Sequence, residues 1–437
     1  MEDTAHYRTI DLVQHTPMWH FQSDQKGCCL RASEVKPKLD RFLAEINQKE
    51  YTPLDYKMHI SVQCNPIELK ETFKNKNGRK VSNFPLFFGN MNNPDEKHLV
   101  YHNNKDHPIQ MHLFSLDSKL LDSIVKVLPA FFACHSFGTR QDKGFGCFYP
   151  QQDEENKKDF DYSGASYMFT TTPSKDDSLT EIFKQLFKFI ETFHKMIRSG
   201  VNYPKKTYCK SFMFCYADSM NGEHGEKVRW DKPVIRHHFC LKHPKYESRC
   251  GETVTGSDAV PVQESMQEMY PELEALRENG YKNNRWLFRD ALGLASSQEW
   301  KDYNDTLNIA GESKDADGRN IPVKRFQSPI LYRPVPNGDG SFTVYIYLKP
   351  IPETYRNADF TITDKPGRNN PRRQPEQPLT GMKIHKDFKL NEYFEFIINY
   401  CHHPGVTIIG KDDYYIRGLF INKQRDGKLN FRKVVHK

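Results

Sequence analysis

The sequence predicts an α+β protein built from two ferredoxin-like domains, the second enlarged by insertions. Three observations indicate this fold class. The chain has 437 residues, which is too long for one ordinary core. Its first third shows the element order β-α-β-β-α-β, and a similar pattern begins again after an acidic stretch at Asp153 to Tyr162. We therefore place the first domain at residues 1–160 and the second at residues 161–437.

In the first domain, alternating apolar residues predict strands, and apolar residues at a spacing of three and four predict helices. The elements are the strand His6 to Gln14, the helix Ser33 to Gln48, the strands Lys57 to Cys64 and Ile109 to Leu116, the helix Leu116 to Leu128 and the strand Gly146 to Tyr149. Ser33 is the expected N-cap of the first helix, because its hydroxyl suits that position. The polar, Asn-rich stretch Lys74 to Asp106 is expected to be an insertion.

The second domain repeats this plan with longer connections. Its predicted elements are the strands Ala165 to Thr172, Ser211 to Tyr216, Arg236 to Leu241, Ile330 to Val335 and Ser341 to Leu348, and the helices Leu179 to Ile197 and Leu390 to Tyr400. The turn Asn337 to Gly340 joins the last two strands as a hairpin. Two stretches dominated by Gly, Pro, Asn and charge, Asn221 to Pro233 and Glu353 to Thr380, are predicted to be surface loops.

Composition limits the class of protein. The chain is 37% hydrophobic and 27% charged, which is enough apolar material for folded cores. It has no apolar run of membrane-spanning length, and Met1 to Ile10 lacks the pattern of a signal peptide, so we expect a cytoplasmic protein without disulfides. A net charge of +7 favours a polyanionic partner, although a solvated surface would also be charged.

The segment Phe137 to Gly146 carries the strongest binding signal. Its glycines allow close approach of a ligand to the backbone, its basic residues suit phosphate, and its internal phenylalanine offers a stacking surface. These residues are Gly138, Gly144, Gly146, Arg140, Lys143 and Phe145. We expect Arg140 and Lys143 to face solvent. The alternative is a glycine-rich turn between a helix and a strand.

Two further segments are basic. Arg31, Lys36 and Lys38 surround the start of the first helix, where free N–H groups suit phosphate. The other segment runs from Arg289 in the stretch around Leu-Gly-Leu to the basic pair Lys324-Arg325, which leads into Ser-Pro and an apolar strand. A capped, solvated helix start and an ordinary loop are the alternative interpretations.

Taken in order, these motifs resemble the RAMP superfamily of CRISPR proteins, and within it the family of the first subunit of the type III-B Cmr effector complex. The matching motifs are Thr16-Pro17, Arg31 to Lys36, Gly138 to Gly146, Leu292 to Leu294 and Arg325 to Pro329. The resemblance implies an RNA-binding subunit in antiviral defence that helps cap the 3′ end of the guide RNA and engages target RNA. Its partners would be guide RNA, target RNA and other Cmr or RAMP subunits, with no cofactor and no membrane.

The resemblance also raises an enzymatic alternative, a RAMP endoribonuclease that cuts guide precursor or target RNA. Asp24 stands in a loop comparable to that of the cutting subunits, and His15, His20 and His135 lie near the predicted RNA face. A further alternative is a scaffold protein.

One cluster contains residue types that bind metal. Its members are His237, His238, Cys240, His243 and Cys250. A strand would point His237 and His238 to opposite faces, and the cluster has no close Cys pair, so we predict no metal site.

Overall fold

The structure, a computed structural model, combines helices and strands, and the chain is therefore an α+β protein. The residues that it describes are 5–19, 28–74, 77–78, 80–85, 99–103, 106–151, 162–172, 178–202, 208–209, 211–220, 231–239, 286–300, 305–365, 377–402 and 431–435.

The first part of the chain forms a four-stranded antiparallel sheet with two helices, and its strand order is β3-β7-β1-β8. Its elements are β1 (Tyr7–Gln14), α1 (Ala32–Ile46), β3 (Lys57–Ser61), β7 (Ile109–Phe114), α2 (Ser118–Cys134) and β8 (Phe148–Pro150). Short pairs lie in the connections: β2 (Met18–Trp19) with β6 (Leu99–Val100), and β4 (Thr72–Lys74) with β5 (Lys80–Ser82).

The alternating side chains of β7 show which face of this sheet the helices cover. Ile109, Met111 and Leu113 of β7 are fully buried in one core with the apolar faces of α1 and α2. The residues between them therefore point to the opposite face, where Phe114 is exposed. One face of the sheet thus packs against the helices, and the other carries side chains that solvent reaches.

A second four-stranded antiparallel sheet joins segments that are far apart in the sequence, in the order β16-β17-β9-β20. Its strands are β9 (Tyr167–Thr170), β16 (Ile330–Pro336), β17 (Phe342–Leu348) and β20 (Arg432–Lys433). Helix α3 (Leu179–Arg198) follows β9, and its buried side includes Phe183, Phe187, Ile190 and Phe193. The predicted hairpin between β16 and β17 is confirmed.

The chain divides into two compact units. The first contains residues 1–194, 330–349 and 400–437, and the second contains residues 195–329 and 350–399. The division falls within α3. The predicted domain boundary at residue 160 stays a prediction.

The second unit has a sheet that the sequence did not predict, in the order β12-β19-β18-β14-β13, with β15 paired to β14. Its strands are β12 (Trp286–Leu287), β13 (Ser297–Trp300), β14 (Asp305–Lys314), β15 (Asn320–Val323), β18 (Asp359–Lys365) and β19 (Leu379–Ile384). The remaining elements are β10 (Val201–Asn202) with β11 (Tyr208–Cys209), and the helices α4 (Phe212–Asp218), α5 (Asp231–His238), α6 (Glu353–Arg356) and α7 (Leu390–His402), the last of which continues into the first unit.

Two predicted strands are wrong. The stretch Ser211 to Tyr216 forms helix α4, because the Ser211 hydroxyl accepts a hydrogen bond from the Phe214 N–H as an N-cap. Arg236 to Leu241 overlaps helix α5, which begins with Asp231, an acid suited to a helix N-terminus. In both, residues with strand preference lie in a helix: a side-chain cap begins α4, and an acid lies in the first turn of α5.

Two other predictions also need correction. Ser33 is not the N-cap of α1: Arg31 holds that position without a side-chain cap, and Ser33 is exposed inside the helix. The predicted loop from Glu353 to Thr380 contains α6, β18 and the start of β19, because alternating Phe360 and Ile362 are buried on one face of β18.

Candidate nucleic-acid interface

The glycine-rich loop, residues 137–146, follows α2 in the first compact unit. Gly138, Gly144 and Gly146 all have left-handed φ values, between +66° and +83°. A Cβ atom would lie 1.9 Å from the Phe137 carbonyl oxygen at Gly146, and 2.5 Å from the Trp19 carbonyl oxygen at Gly138. Gly138 and Gly146 are therefore required by the close approach of backbone to backbone within the protein, whereas a Cβ at Gly144 would meet the side chains of Ile190 and Pro334.

Loop amides that were expected to face phosphate face the protein at two of these glycines. The Gly138 N–H donates to Oε1 of Glu34 at 2.9 Å, and the Gly146 N–H donates to the Pro17 carbonyl at 3.0 Å. The loop is thus fastened both to the start of α1 and to the early Thr-Pro motif.

Arg140 was expected to face solvent, and the structure contradicts this. Its side chain is only 5% exposed, and the guanidinium carbon lies 4.2 Å from the centroid of the Trp19 ring. Burial lowers the pKa of Arg140 to about 10, so the residue still carries its charge at neutral pH. The cation packs on an indole face.

Lys143 and Phe145 are also buried. The Lys143 Nζ atom lies 3.0 Å from Oδ2 of Asp142, which neutralises its charge locally. The Phe145 ring is fully buried and stacks on Phe187 with centroids 3.6 Å apart. The expectations of an exposed lysine and of an exposed stacking surface are therefore wrong, because the loop folds inward onto α3.

Lys36, at the start of α1, is partly exposed, and internal contacts hold its ammonium group. Its Nζ atom donates to Oδ2 of the buried Asp40 at 2.9 Å and to the Leu54 carbonyl at 2.8 Å, and it lies 4.1 Å above the Tyr56 ring. This network ties the helix to the chain that enters β3. The position that resembles the family's helix-start lysine thus has a structural role here.

Lys38 links α1 to the loop while part of its side chain remains exposed. Its Nζ atom donates to the Ser136 carbonyl at 3.2 Å and to Oε1 of Gln141 at 2.8 Å. Burial lowers the pKa of Lys38, nearby Glu34 opposes this effect, and the charge of Lys349 adds to the lowering. Lys349, which follows β17, was not found from the sequence because only the fold brings it near Lys38.

Three basic residues belong to the elements around the loop: Lys38 contacts it, the charge of Lys349 acts on Lys38, and Arg31 begins the helix that carries Lys38. Arg31 is partly exposed at the N-cap of α1, Lys38 follows it by two helical turns, and Lys349 is exposed. We call Arg31, Lys38 and Lys349 the cationic rim. Repulsion between the two lysines means that an anion bound there would stabilise both.

Of the three basic residues predicted in the second unit to bind RNA, one is buried and two are exposed. Nε of Arg289 donates to both carboxylate oxygens of the buried Asp231, at 3.1 and 3.2 Å. The arginine is 8% exposed and forms an internal ion pair, and its contact with RNA stays a prediction. Lys324 and Arg325 are exposed.

The structure brings the Leu-Gly-Leu and Arg-x-x-Ser-Pro motifs together. Leu294 and Phe326 exchange two backbone hydrogen bonds, at 2.8 and 3.1 Å. Gly293 adopts a φ of +123°, and a Cβ there would lie 3.3 Å from the backbone of Ser328. The two motifs, some thirty residues apart, thus form one structural junction.

The candidate catalytic residues give no assembled site in the described chain. Asp24 and His20 lie outside the described residues. Burial, with the charge of Arg333 as a smaller cause, lowers the pKa of His15 to about 3. Burial likewise lowers the pKa of His135 to about 4. Both imidazoles are therefore neutral at physiological pH; His15 is buried and His135 is partly exposed.

The cluster of metal-binding residue types is only partly described. Cys240, His243 and Cys250 lie outside the described residues, and His237 and His238 belong to a helix rather than to a strand. Nε2 of His238 lies 2.8 Å from the Gln377 carbonyl oxygen. Among the described residues, no group of three or more His, Cys, Asp or Glu could hold a metal ion.

Two family models match the chain. The model of the Cmr1 N-terminal domain matches residues 5–53 and 45–201, and that of the Cmr1 C-terminal domain matches residues 208–420. The chain belongs to the Cmr1 family. As a Cmr1-family protein, it is a subunit of the Cmr complex of a type III-B CRISPR system.

The assignment to the Cmr1 family rests on these two family models. No curated protein and no solved structure gives a significant match. Within the described ranges, no helix combines the length and the apolar character needed to cross a membrane.

Proposed function

We propose that this subunit binds RNA without cleaving it, and that it helps cap the 3′ end of the guide RNA and engages the facing target RNA. The observation that carries the proposal is the cationic rim: Lys38 contacts the glycine-rich loop, the charge of Lys349 acts on Lys38, and Arg31 lies at the start of the same helix. Glu34 is the acid paired with Lys38. Phosphate contacts by lysine and arginine supply most of the affinity of sequence-independent RNA binding.

The proposed architecture is a pair of ferredoxin-like modules. In chain order, the strands of the first sheet lie as second, third, first and fourth, and those of the second sheet lie in the same way. The first sheet has one helix between its first and second strands and one between its third and fourth, and the second sheet has α3 and α7 at the corresponding places, with further short elements beside them. This order supports the ferredoxin-like plan. The division near residue 160 and the RNA-binding role of Lys324 and Arg325 are part of the proposal.

Residues of the glycine-rich loop act indirectly in this account. Gly138, Gly144 and Gly146 permit the loop conformation, and Phe145 anchors it. Arg140 and Lys143 support the loop from within, Arg140 against the Trp19 ring and Lys143 beside Asp142. Direct phosphate contacts are assigned to Arg31, Lys38 and Lys349, and Lys36 holds the start of α1 in position.

The salt dependence of RNA binding tests this assignment. We expect the purified chain to bind a fluorescent single-stranded RNA with an affinity that falls as salt rises. The variant with both Lys38→Ala and Lys349→Ala should bind more weakly, and its salt slope should be shallower by about 1.4, since each lost contact to single-stranded RNA contributes about 0.7.

Lys119→Ala is a matched control. Lys119 is an exposed lysine at the start of α2, and Lys38 contacts the residue just beyond the other end of that helix, roughly 25 Å away. Its removal changes the net charge without touching the rim. If Lys119→Ala and the rim variant weaken binding equally, the interaction is a general charge effect, and the proposed interface is wrong.

The proposal that the subunit does not cleave RNA is tested in the assembled complex. Asp24→Ala should leave every cut in end-labelled target RNA unchanged, because other subunits would carry the cleaving acids. Loss of one cleavage product with RNA binding intact would instead support an endoribonuclease, since removal of a catalytic group affects the transition state more than binding.

A further inference from the structure

The open face of the first sheet carries a group of rings that the function proposed above does not use. Gln110, His112 and Phe114 of β7 point away from the helices, because their neighbours in the strand fill the core. In the register, His112 lies between Thr9 and His59, and Phe114 lies between Tyr7 and Lys57. We call Tyr7, His59, His112 and Phe114 the ring platform.

Three rings of the platform, those of Tyr7, His112 and His59, are aligned across three adjacent strands. The Tyr7 and His112 rings have centroids 5.9 Å apart and planes within 23°, and the His112 and His59 rings have centroids 6.0 Å apart and planes within 14°. Phe114 is 42% exposed and His59 is also exposed. Solvent therefore reaches an array of ring surfaces that is already ordered in the free protein.

Hydrogen bonds fix the central ring. Nδ1 of His112 lies 2.7 Å from the Tyr7 hydroxyl, and its Nε2 lies 3.3 Å from the Ser61 hydroxyl. Burial and the neighbouring His59 lower the pKa of His112. The imidazole is thus held in one orientation and is neutral at physiological pH, so little conformational entropy is lost when a flat ligand stacks on the array.

The charges around the platform favour a nucleic acid over a protein. Lys57 is exposed beside Phe114, and the acid Asp11 on the same face accepts a hydrogen bond from the Gln110 amide. The exposed apolar surface is one phenyl ring among hydroxyls and imidazoles, whereas a protein interface needs a larger apolar centre. Bases stack on aromatic and histidine rings, and a flanking lysine suits the phosphate between them.

We propose that the ring platform is a second RNA contact, on which bases of single-stranded RNA stack while Lys57 contacts the backbone. It rests on the proposal that the chain binds RNA, and it adds a site of different chemistry. The cationic rim contributes salt-dependent affinity, and the platform contributes affinity that salt hardly changes.

The test uses the full chain and a fluorescent single-stranded RNA of mixed sequence. The double variant His59→Ala with Phe114→Ala should bind about tenfold more weakly, with an unchanged salt slope, because it removes stacking and no phosphate contact. Phe73→Ala is the matched control: Phe73 is 46% exposed on β4, outside the platform, and its loss should change the affinity by less than about twofold.

A measurement on the unchanged protein makes the result independent of any folding defect. RNA containing 5-iodouridine, irradiated in complex with the wild-type chain, should cross-link to Phe114 or His59. Cross-links that map elsewhere, together with wild-type affinity of the double variant, overturn the platform.

The outcomes separate the two proposals. If the rim variant binds weakly while the platform variant binds normally, the RNA-binding function holds and the platform fails. If the platform variant binds RNA normally but no longer joins the other Cmr subunits, the face takes a protein and the inference is wrong. If the wild-type chain binds no RNA, both proposals fail.

Discussion

Single residues of the glycine-rich loop set its shape through backbone geometry. Gly146 combines a φ of +66° with a neighbouring carbonyl that leaves no room for a Cβ. Gly338, in the β16–β17 turn, has a φ of +88° and open space around it. The pair separates the cost of the left-handed conformation from the cost of steric overlap.

Gly146→Ala should therefore destabilise the chain more than Gly338→Ala does. We expect about 1 kcal/mol for Gly338→Ala, from conformation alone, and at least about 2 to 3 kcal/mol for Gly146→Ala, where overlap is added. Urea unfolding of both variants and the wild type measures the difference. Equal losses would mean that the loop relaxes to admit a side chain, so that close packing would not explain its glycines.

Buried histidines make stability depend on pH. The pKa of His15 is about 3 in the folded chain, against an ordinary value near 6.5. Below pH 6.5 the unfolded chain binds a proton that the folded chain does not, so stability is complete above this pH and falls on acidification. The loss from pH 7 to pH 5 should be on the order of 2 kcal/mol for this group.

The variant His15→Phe tests this linkage, because it keeps a ring against Tyr149 and removes the titration. Between pH 6 and pH 4, its free energy of unfolding should fall less steeply than that of the wild type, by about 1.4 kcal/mol per pH unit. His135 accounts for part of the remaining slope. Parallel slopes for the two proteins would contradict the burial of a neutral His15.

At the scale of elements, the sequence predicted the helices and strands that form through the pattern of neighbouring residues. The strands β1, β7 and β17 and the helices α1 and α3 followed from their apolar periodicity. Other elements depend on distant partners: β18 lies in a stretch rich in charge and Pro, and it becomes a strand through pairing with β14 and β19. The burial of Arg140 and Arg289 likewise depends on residues distant in sequence. The sequence therefore predicted both as residues that contact RNA.

Helix caps offer a test at this scale. The Asp117 carboxylate accepts hydrogen bonds from the N–H groups of Lys119 and Leu120 at the start of α2, whereas Ser33 lies exposed within α1 and caps nothing. Asp117→Ala should cost about 1 kcal/mol of stability, and Ser33→Ala should stay within about 0.5 kcal/mol of the wild type. Thermal unfolding of the two variants measures this. A larger loss for Ser33→Ala would restore Ser33 as the cap of α1.

At the scale of the whole molecule, each compact unit is formed by segments that lie far apart in the sequence. The second sheet pairs β9 with β17, about 175 residues later, and with β20 near the end of the chain. The cationic rim depends on this long-range pairing, since Lys349 follows β17. For this reason Arg31 and Lys38 could be predicted from the sequence as basic residues at a helix start, while their association with Lys349 could not.

The most direct test of the account is protection of the guide RNA in a reconstituted Cmr complex. With the wild-type subunit, a 3′ exonuclease should leave the 3′ end of the guide intact. With the variant carrying Lys38→Ala and Lys349→Ala, the subunit should still assemble, because both changes leave the cores intact, and the 3′ end should be trimmed. Protection equal to that of the wild type, in a complex shown to contain the variant subunit, would contradict RNA binding by the cationic rim.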